Sequence, residues 1–186
     1  MNSAEVMWLI TECLAQNDAA IETLIHQYEA GVFRFALSIV GNQADAHEVT
    51  QETFIAALRS LHTYQEKKSF NAWLYTIALN HSRSLLRKRK VLEKLQATTT
   101  LLFRNELQRQ SSPEETVIQT EKEAVVWNEL NKMDEMHRIV VILRYFQELS
   151  IAEIAEVLNI NEGTIHSRLH TARERLRKVL QPMYGE

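Results

Sequence analysis

Apolar residues recur every three or four positions along most of the chain, with short polar breaks between the periodic segments. This spacing gathers apolar side chains on one face of an α-helix, whereas a half-buried strand needs them at every second position. Four Gly and two Pro among 186 residues leave few helix breakers. The pattern therefore predicts an all-α protein. The predicted helices span residues 5–15, 18–37, 44–61, 70–92, 121–133, 135–147, 151–158 and 162–178.

The periodicity weakens after the fourth predicted helix, where Thr, Ser, Gln and a Pro are mixed. Such a mixture is typical of a connecting segment. We expect two small helical domains, residues 1–94 and 119–186, joined by a linker at residues 95–118. Within the linker, a helical turn is predicted near Leu101 to Leu107. Leu101, Leu102 and Phe103 are apolar for a free linker, so they could pack on a partner protein or between the two domains.

The last two predicted helices carry signals for a tight helix-turn-helix. Ser150 and Glu153 have the spacing of a capping box, which starts a helix. Asn159 suits the left-handed conformation of a sharp turn, and Asn161 suits the N-cap of the following helix. This arrangement is the one that places a second helix in the major groove of DNA.

The second helix of this pair has a buried stripe and a basic outer surface. Ile165, Leu169, Ala172 and Leu176 recur at helical spacing and form the stripe. The other faces carry His166, Ser167, Arg168, His170, Thr171, Arg173, Arg175 and Arg177. An ordinary helical hairpin with a solvated charged face is the alternative interpretation.

A net charge of −3 conceals two basic patches on an otherwise acidic chain. One patch lies at the end of the fourth predicted helix, from Arg83 to Lys94, and the other lies on the last helix. Two separate basic patches indicate two contacts with a polyanion, while the acidic surfaces face another partner. We expect weak binding to free DNA, because the acidic regions oppose the phosphate attraction.

The third predicted helix carries an acidic stripe. Asp45, Glu48 and Glu52 lie at helical spacing opposite the apolar face, with Gln51 beside them. A solvated helix face is the common origin of such a stripe. A docking face for a basic partner helix is the more specific hypothesis.

Aromatic and amide side chains lead directly into the first basic patch. Phe70, Trp73 and Asn80 precede Arg83 and Arg87 on the fourth predicted helix. Aromatic rings stack on bases and cations neutralise phosphates, so this combination fits single-strand capture. For Trp73 we favour a core position, because it shares a helix face with Ile77.

Other features limit the function classes. The single cysteine, Cys13, excludes a disulfide framework and a Cys-rich zinc site, and is expected to be a small apolar residue on the first helix. No metal or cofactor is expected, because the acids of the third helix lack His or Cys partners at ligand spacing. The N-terminus lacks a signal-peptide pattern and no apolar run reaches membrane-spanning length, so we expect no membrane insertion and a cytoplasmic location.

Two parts of the chain resemble a known family. The segment from Asp45 to Phe54, and the segment from Ser69 to Asn80 with its basic continuation, are similar to region 2 of the extracytoplasmic-function sigma factors. The segment from Ile151 to Leu176 is similar to their region 4. Both regions occur in the family's order, and nothing between them resembles region 3.

The resemblance implies a bacterial transcription initiation factor, which is not itself an enzyme and which directs core RNA polymerase to promoters. By this resemblance, the residues that dock on the clamp helices of the polymerase's largest subunit would be Asp45, Glu48, Gln51 and Glu52. Those that hold the −10 element would be Tyr64, Lys67, Lys68, Asn71, Asn80, Arg83, Arg87 and Lys88. Those that read the −35 element would be Asn161, Thr164, His166, Ser167, Arg168, His170, Thr171 and Arg173. The implied partners are core polymerase, including its flap, promoter DNA and an anti-sigma factor.

Thr171 departs from the family pattern, in which a basic residue is frequent at its position. Arginine is the best bidentate reader of guanine, whereas threonine bonds either base type or touches a thymine methyl group. We therefore expect a −35 preference that differs from the common one.

A helix-turn-helix regulator that acts without polymerase is the second candidate. Such a regulator would need a dimerisation arm or heptad repeat, and none is visible in the sequence. Binding to duplex DNA in the absence of core polymerase would distinguish the two classes. If the chain is a sigma factor, the free protein is expected to hide its DNA-binding surfaces by packing its domains together or by binding an anti-sigma factor.

Overall fold

A computed structural model describes residues 3–66, 69–100 and 121–181. Every regular element in these residues is helical, which confirms the all-α prediction. The α-helices are α1 (Ser3–Leu14), α2 (Asp18–Val40), α3 (Gln43–Ser60), α4 (Phe70–Thr100), α5 (Glu121–Asn131), α6 (Glu135–Val141), α7 (Ile151–Leu158) and α8 (Glu162–Leu180). A 3₁₀ turn at Leu61–Thr63 follows α3, and a π-helical turn at Ile142–Phe146 follows α6.

Polar side chains at helix starts explain why the helices begin where they do. Asn17 accepts hydrogen bonds from the backbone of α2, and Asn42 accepts one from the backbone of α3. Asp134 does the same for α6. Each cap satisfies backbone N–H groups that a first helical turn leaves without partners. At the other end of α2, Gly41 takes the left-handed conformation with φ of 81°, which ends the helix.

The N-terminal half is a bundle in which α2, α3 and α4 pack on one another and α1 packs on α2. Leu24, Val32, Phe35, Leu74 and Leu79 are buried at its centre. Cys13 is also buried, as expected for a small apolar residue.

The C-terminal half is built on α8, which contacts α5, α6 and α7. Leu130, Ile139, Ile154, Ile165 and Leu169 form its buried interior. The predicted stripe of the last helix is confirmed at Ile165, Leu169 and Ala172, which are all buried.

The two halves also contact each other, since α7 packs on α4, and α6 and the π-helical turn pack on α2. Buried residues of both halves belong to one continuous apolar cluster. The predicted pair of small helical domains is therefore present, and the pair is packed together.

Most helix ends lie within about three residues of the prediction, and two helices differ more. α4 continues to Thr100 and does not end at Leu92, so residues 95–100 of the predicted linker are helical. The predicted helix 135–147 is α6 followed by the π-helical turn. Leu101 to Leu107, including the apolar Leu101, Leu102 and Phe103, lie outside the described residues, as do Lys67 and Lys68.

Candidate nucleic-acid interface

The turn between α7 and α8 has the geometry predicted from the sequence. The Ser150 backbone N–H donates to Glu153 Oε2 at 2.6 Å, and the Glu153 N–H donates to Ser150 Oγ at 3.2 Å, which completes the capping box. Asn159 adopts the left-handed conformation with φ of 52°. Asn161 accepts a hydrogen bond from the Thr164 backbone at 2.8 Å and caps α8. Local polar chemistry thus fixes where both helices of the pair begin.

The outer face of α8 is available to a ligand. His166, Ser167, His170 and Thr171 are exposed, and so is Arg173. Arg168 is half-buried, with its Nη2 3.8 Å from Met136 Sδ. This face presents hydroxyl, imidazole and guanidinium groups, which can bond base edges and phosphates.

Asn161 and Thr164 are engaged with each other at the start of α8. The Thr164 hydroxyl donates to Asn161 Oδ1 at 2.8 Å, in addition to the backbone bond. Both side chains therefore have an established role in starting the helix.

Arg175 is exposed, as the sequence pattern predicted, but its guanidinium group is bonded to the protein. Its Nε donates to Glu129 Oε1 at 2.7 Å, and its Nη2 donates to the Lys132 carbonyl oxygen at 3.2 Å. The hydrogen bond from Arg175 lowers the pKa of Glu129, helped by the charges of Arg175 and Lys132. Glu129 is buried, and Arg175 therefore ties α8 to α5.

The sequence held a signal for this contact, because Glu129 lies on the apolar face of α5. It is three positions after Val126, a half-buried residue that packs against the core, and one before the buried Leu130. An acid on such a face needs a cationic partner when it is buried.

On α4, three of the predicted nucleic-acid residues share one face. Asn80, Arg83 and Arg87 are exposed and recur at helical spacing. Arg83 Nε also lies 3.4 Å from Glu135 Oε1, an acid of the C-terminal half. Lys88 is exposed on the adjoining face. Asn71 lies on the opposite side of the helix, since nine residues before Asn80 correspond to about two and a half turns.

An aromatic cluster lies between the loop after α3 and the start of α4. The ring of Tyr64 is 5.7 Å from that of Trp73 and 5.5 Å from that of Phe70. Phe70 is buried, whereas Tyr64 and Trp73 are half-buried and pack against the core. Burial and the nearby Glu66 raise the pKa of Tyr64.

Trp73 is half-buried near the start of α4. It packs against the core, as the sequence favoured, and it lies seven residues, about two turns, before Asn80. The half-buried indole therefore heads the exposed polar face of α4.

The acidic stripe divides into two parts. Glu48, Gln51 and Glu52 are exposed on α3. Asp45 is half-buried and accepts hydrogen bonds from Arg89 and, at 2.8 Å, from Asn42 Nδ2. Among the contacts described, Glu48, Gln51 and Glu52 make no comparable hydrogen bonds within the domain. Asp45, in contrast, is bonded to two residues of its own domain.

In the part of the chain that the structure describes, no three His, Cys, Asp or Glu side chains are grouped as metal ligands. None of the described helices is both long and apolar enough to cross a membrane.

Comparisons with known proteins agree with the geometry. Residues 24–91 match the Sigma-70 region 2 family model, and residues 124–176 match the Sigma-70 region 4 model. The chain is 31% identical over 169 residues to the ECF RNA polymerase sigma factor SigW of Bacillus subtilis, covering 88% of this chain and 90% of SigW.

Two solved structures share the fold. The structure of CnrH in complex with the cytosolic domain of CnrY superposes with a TM-score of 0.66 at 25% identity, covering 94% of this chain and 96% of that one. The sigma factor RpoE of Bartonella quintana, solved with the anti-sigma factor NepR, gives a TM-score of 0.67 at 22% identity, covering 86% of this chain and 96% of that one.

The regulator without polymerase is not favoured by these matches, since region 2 accompanies the helix-turn-helix in one chain. With the exposed face of α8, the exposed acidic stripe and the polar face of α4 in place, the chain belongs to the extracytoplasmic-function family of RNA polymerase sigma factors and acts as an alternative sigma factor in transcription initiation.

Proposed function

We propose that this sigma factor divides promoter recognition between its two domains, with boundaries near residues 1–94 and 119–186 and a linker between them. The C-terminal domain reads the −35 element, and the N-terminal domain binds core polymerase and holds the −10 element. It acts in the cytoplasm, where core polymerase and promoter DNA are found. It initiates transcription by recruiting the polymerase, whose active site performs the chemistry.

The exposed face of α8 is the observation that carries this proposal. Ser167, His170 and Thr171 point away from the domain, while Ile165 and Leu169 hold the opposite face in the core. A capped helix supported from behind by α7 is the arrangement that inserts into the major groove. His166, Ser167, His170 and Thr171 are the base-edge candidates, and Arg168 and Arg173 are the phosphate candidates.

Asn161 and Thr164 contribute at the helix start. Their mutual hydrogen bond leaves α8 with a fixed N-terminus, whose partial positive charge favours a DNA phosphate. Their proposed role is therefore to position the backbone of the −35 DNA.

We assign binding of the −10 element to the polar face of α4 and to the loop before this helix. Asn80, Arg83, Arg87 and Lys88 hold the backbone of the single strand, and Tyr64 lies beside Trp73 where an unstacked base can be received. Lys67 and Lys68, which belong to that loop, and Asn71, in the first turn of α4, are proposed as further contacts with the −10 DNA.

We assign binding of core polymerase to the acidic stripe on α3. Glu48, Gln51 and Glu52 are exposed side by side and suit a basic helix of the polymerase clamp. Asp45 accepts hydrogen bonds from Arg89 and Asn42, and its proposed role is to position the start of α3 for this contact. The C-terminal domain is proposed to contact the polymerase flap.

An anti-sigma factor is proposed as a regulatory partner. The same fold is found bound to the anti-sigma factor NepR in RpoE of Bartonella quintana. Co-purification of a specific inhibitory protein with this chain would support the assignment.

In vitro transcription with core polymerase on genomic fragments tests the proposed function. We expect start sites preceded by common −35 and −10 motifs that appear only when the chain is added. Specific binding of the isolated chain to duplex operators, with no effect on the polymerase, would instead indicate an independent regulator.

A further inference from the structure

A small set of polar contacts accompanies the apolar packing between the two domains. The Tyr75 hydroxyl on α4 donates a hydrogen bond to Oε1 of Gln147, the residue directly after the π-helical turn. Gln147 Nε2 donates in turn to the Gly31 carbonyl oxygen on α2 at 3.4 Å. Gln147 therefore bridges two helices of the N-terminal domain from a position in the C-terminal one.

At Gly31 there is no room for a side chain between α2 and the contacting groups. A Cβ atom at Gly31 would lie 2.6 Å from Tyr75 Oη and 2.8 Å from Gln147 Oε1. Tyr75 is only 3% exposed, so its ring has little room to move aside. Glycine is unfavourable in the middle of a helix such as α2, and close approach of a neighbour is a physical reason for its presence.

Gln147 is itself held in place by its own backbone. Its N–H donates to the Ile142 carbonyl oxygen at 3.1 Å, which closes the π-helical turn, and the next residue, Glu148, has φ of 57°. Single π-helical turns inside helices are frequent at functional positions. Here the turn delivers the Gln147 side chain to the interface with α2 and α4.

Two further polar contacts also connect the two domains. Arg83 pairs with Glu135 at 3.4 Å across the domains. Although burial raises it, the pKa of Glu153 is held below its ordinary value by hydrogen bonds from Ser69, in the loop before α4, and from Ser150. Both contacts engage parts of the N-terminal domain assigned above to the −10 strand.

We propose that Gly31, Tyr75 and Gln147 form a latch that keeps the free sigma factor closed, and that core polymerase must open it before α4 engages the −10 strand. In the closed form Arg83 is paired with Glu135, and Ser69 is hydrogen-bonded to Glu153. Glu48, Glu52 and the outer face of α8 stay exposed. Polymerase can therefore dock while the latch is closed. The consequence for the −10 strand rests on the proposed function; the latch itself does not.

Gly31→Ala in the full-length chain is the direct test, with Gly163→Ala as the matched control. A Cβ atom at Gly163 would lie 3.5 Å from Asn161 Oδ1, which is an ordinary van der Waals distance. Small-angle scattering should give a larger radius of gyration for Gly31→Ala than for the wild type and the control. Circular dichroism should show undiminished helix content, because alanine suits a helix better than glycine.

Gln147→Ala tests the latch from the other domain without adding an atom. It should also raise the radius of gyration, and the double variant should be no more open than Gly31→Ala alone, because both changes break one contact. If Gly31→Ala and Gln147→Ala both scatter like the wild type, or if the wild type is already extended, the latch is excluded.

A titration of core polymerase links the latch to function. Opening variants should need about tenfold less core for half-maximal open-complex formation, the change expected when a contact of hydrogen-bond strength no longer opposes it. An unchanged titration with an enlarged radius would overturn the proposed role in −10 engagement. Failure of the wild type to support promoter-specific transcription would contradict the proposed function, and the scattering comparison would still decide the latch.

Discussion

Thr171 is the residue of α8 that is expected to determine the preferred −35 sequence. Its hydroxyl donates to the Ser167 carbonyl oxygen at 3.2 Å, so the exposed side chain offers a methyl group and an acceptor. A Thr171→Arg variant should shift the −35 preference toward guanine, with roughly 1–3 kcal/mol of new discrimination. Selection from a randomised promoter library measures the preference. Gln181→Arg adds the same charge at the end of α8 and should leave the motif unchanged; identical motifs from both variants would contradict the assignment.

Arg173 and Arg175 are two residues apart and are expected to respond differently to salt. Arg173 is exposed, whereas Arg175 is bonded to Glu129. Replacing Arg173 with alanine should reduce the slope of log affinity against log salt by about one phosphate contact. Arg175→Ala should weaken −35 binding without changing this slope, because it loosens the helix and removes no phosphate contact. Equal slopes for both variants in a salt titration of holoenzyme binding would count against this distinction.

At the scale of the element, the bond between Glu129 and Arg175 fixes α8 on α5. The pKa of Glu129 is lowered in the folded protein, so the contact stabilises the domain above the unfolded pKa and is lost as the pH falls through the folded one. Glu129→Gln should therefore lower the Tm near neutral pH, and its difference from the wild type should shrink below about pH 4. Thermal unfolding followed by circular dichroism across this range provides the measurement. Glu156→Gln, at an exposed position of α7, is the control, and a difference that persists into acid would contradict the role of the carboxylate.

Helix starts were predictable from the sequence because capping is local. Ser150, Glu153, Asn159 and Asn161 lie within a few residues of the groups that they bond, and all four have the predicted conformation or contact. The π-helical turn at Ile142–Phe146 has no comparable signal. It packs against α2, which is distant in the sequence. The bond from Arg175 to Glu129 likewise could not be predicted without knowing that α5 and α8 are neighbours.

At the scale of the molecule, the sequence predicted two domains and left open how they lie relative to each other. The free chain was expected to conceal its DNA-binding surfaces, and the structure packs the domains together through α4 and α7. The packing nevertheless leaves these surfaces accessible to solvent: Arg83 is paired with Glu135 but exposed, and His170 and Thr171 are exposed. Long-range complementarity of this kind, including the space left by Gly31, is not encoded in any local pattern.

The exposed acids of α3 give the last prediction, which concerns assembly with polymerase. Charge reversal of Glu48 and Glu52 to lysine should weaken binding to core polymerase by about tenfold or more, since two favourable contacts become repulsive. Asp45 is left intact, because its bonds to Arg89 and Asn42 would add a loss of stability. A competition assay with labelled wild-type chain measures the affinity.

The matched control reverses Glu22 and Glu29, which are exposed on α2 and give the same change in net charge. This variant should bind core polymerase like the wild type, and both variants should unfold at similar temperatures, because exposed charges contribute little to stability. Rising salt should narrow the difference between the two variants, since screening weakens contacts between exposed charges. If both variants lost affinity equally, the net charge of the chain and not the acidic stripe would govern docking on the polymerase.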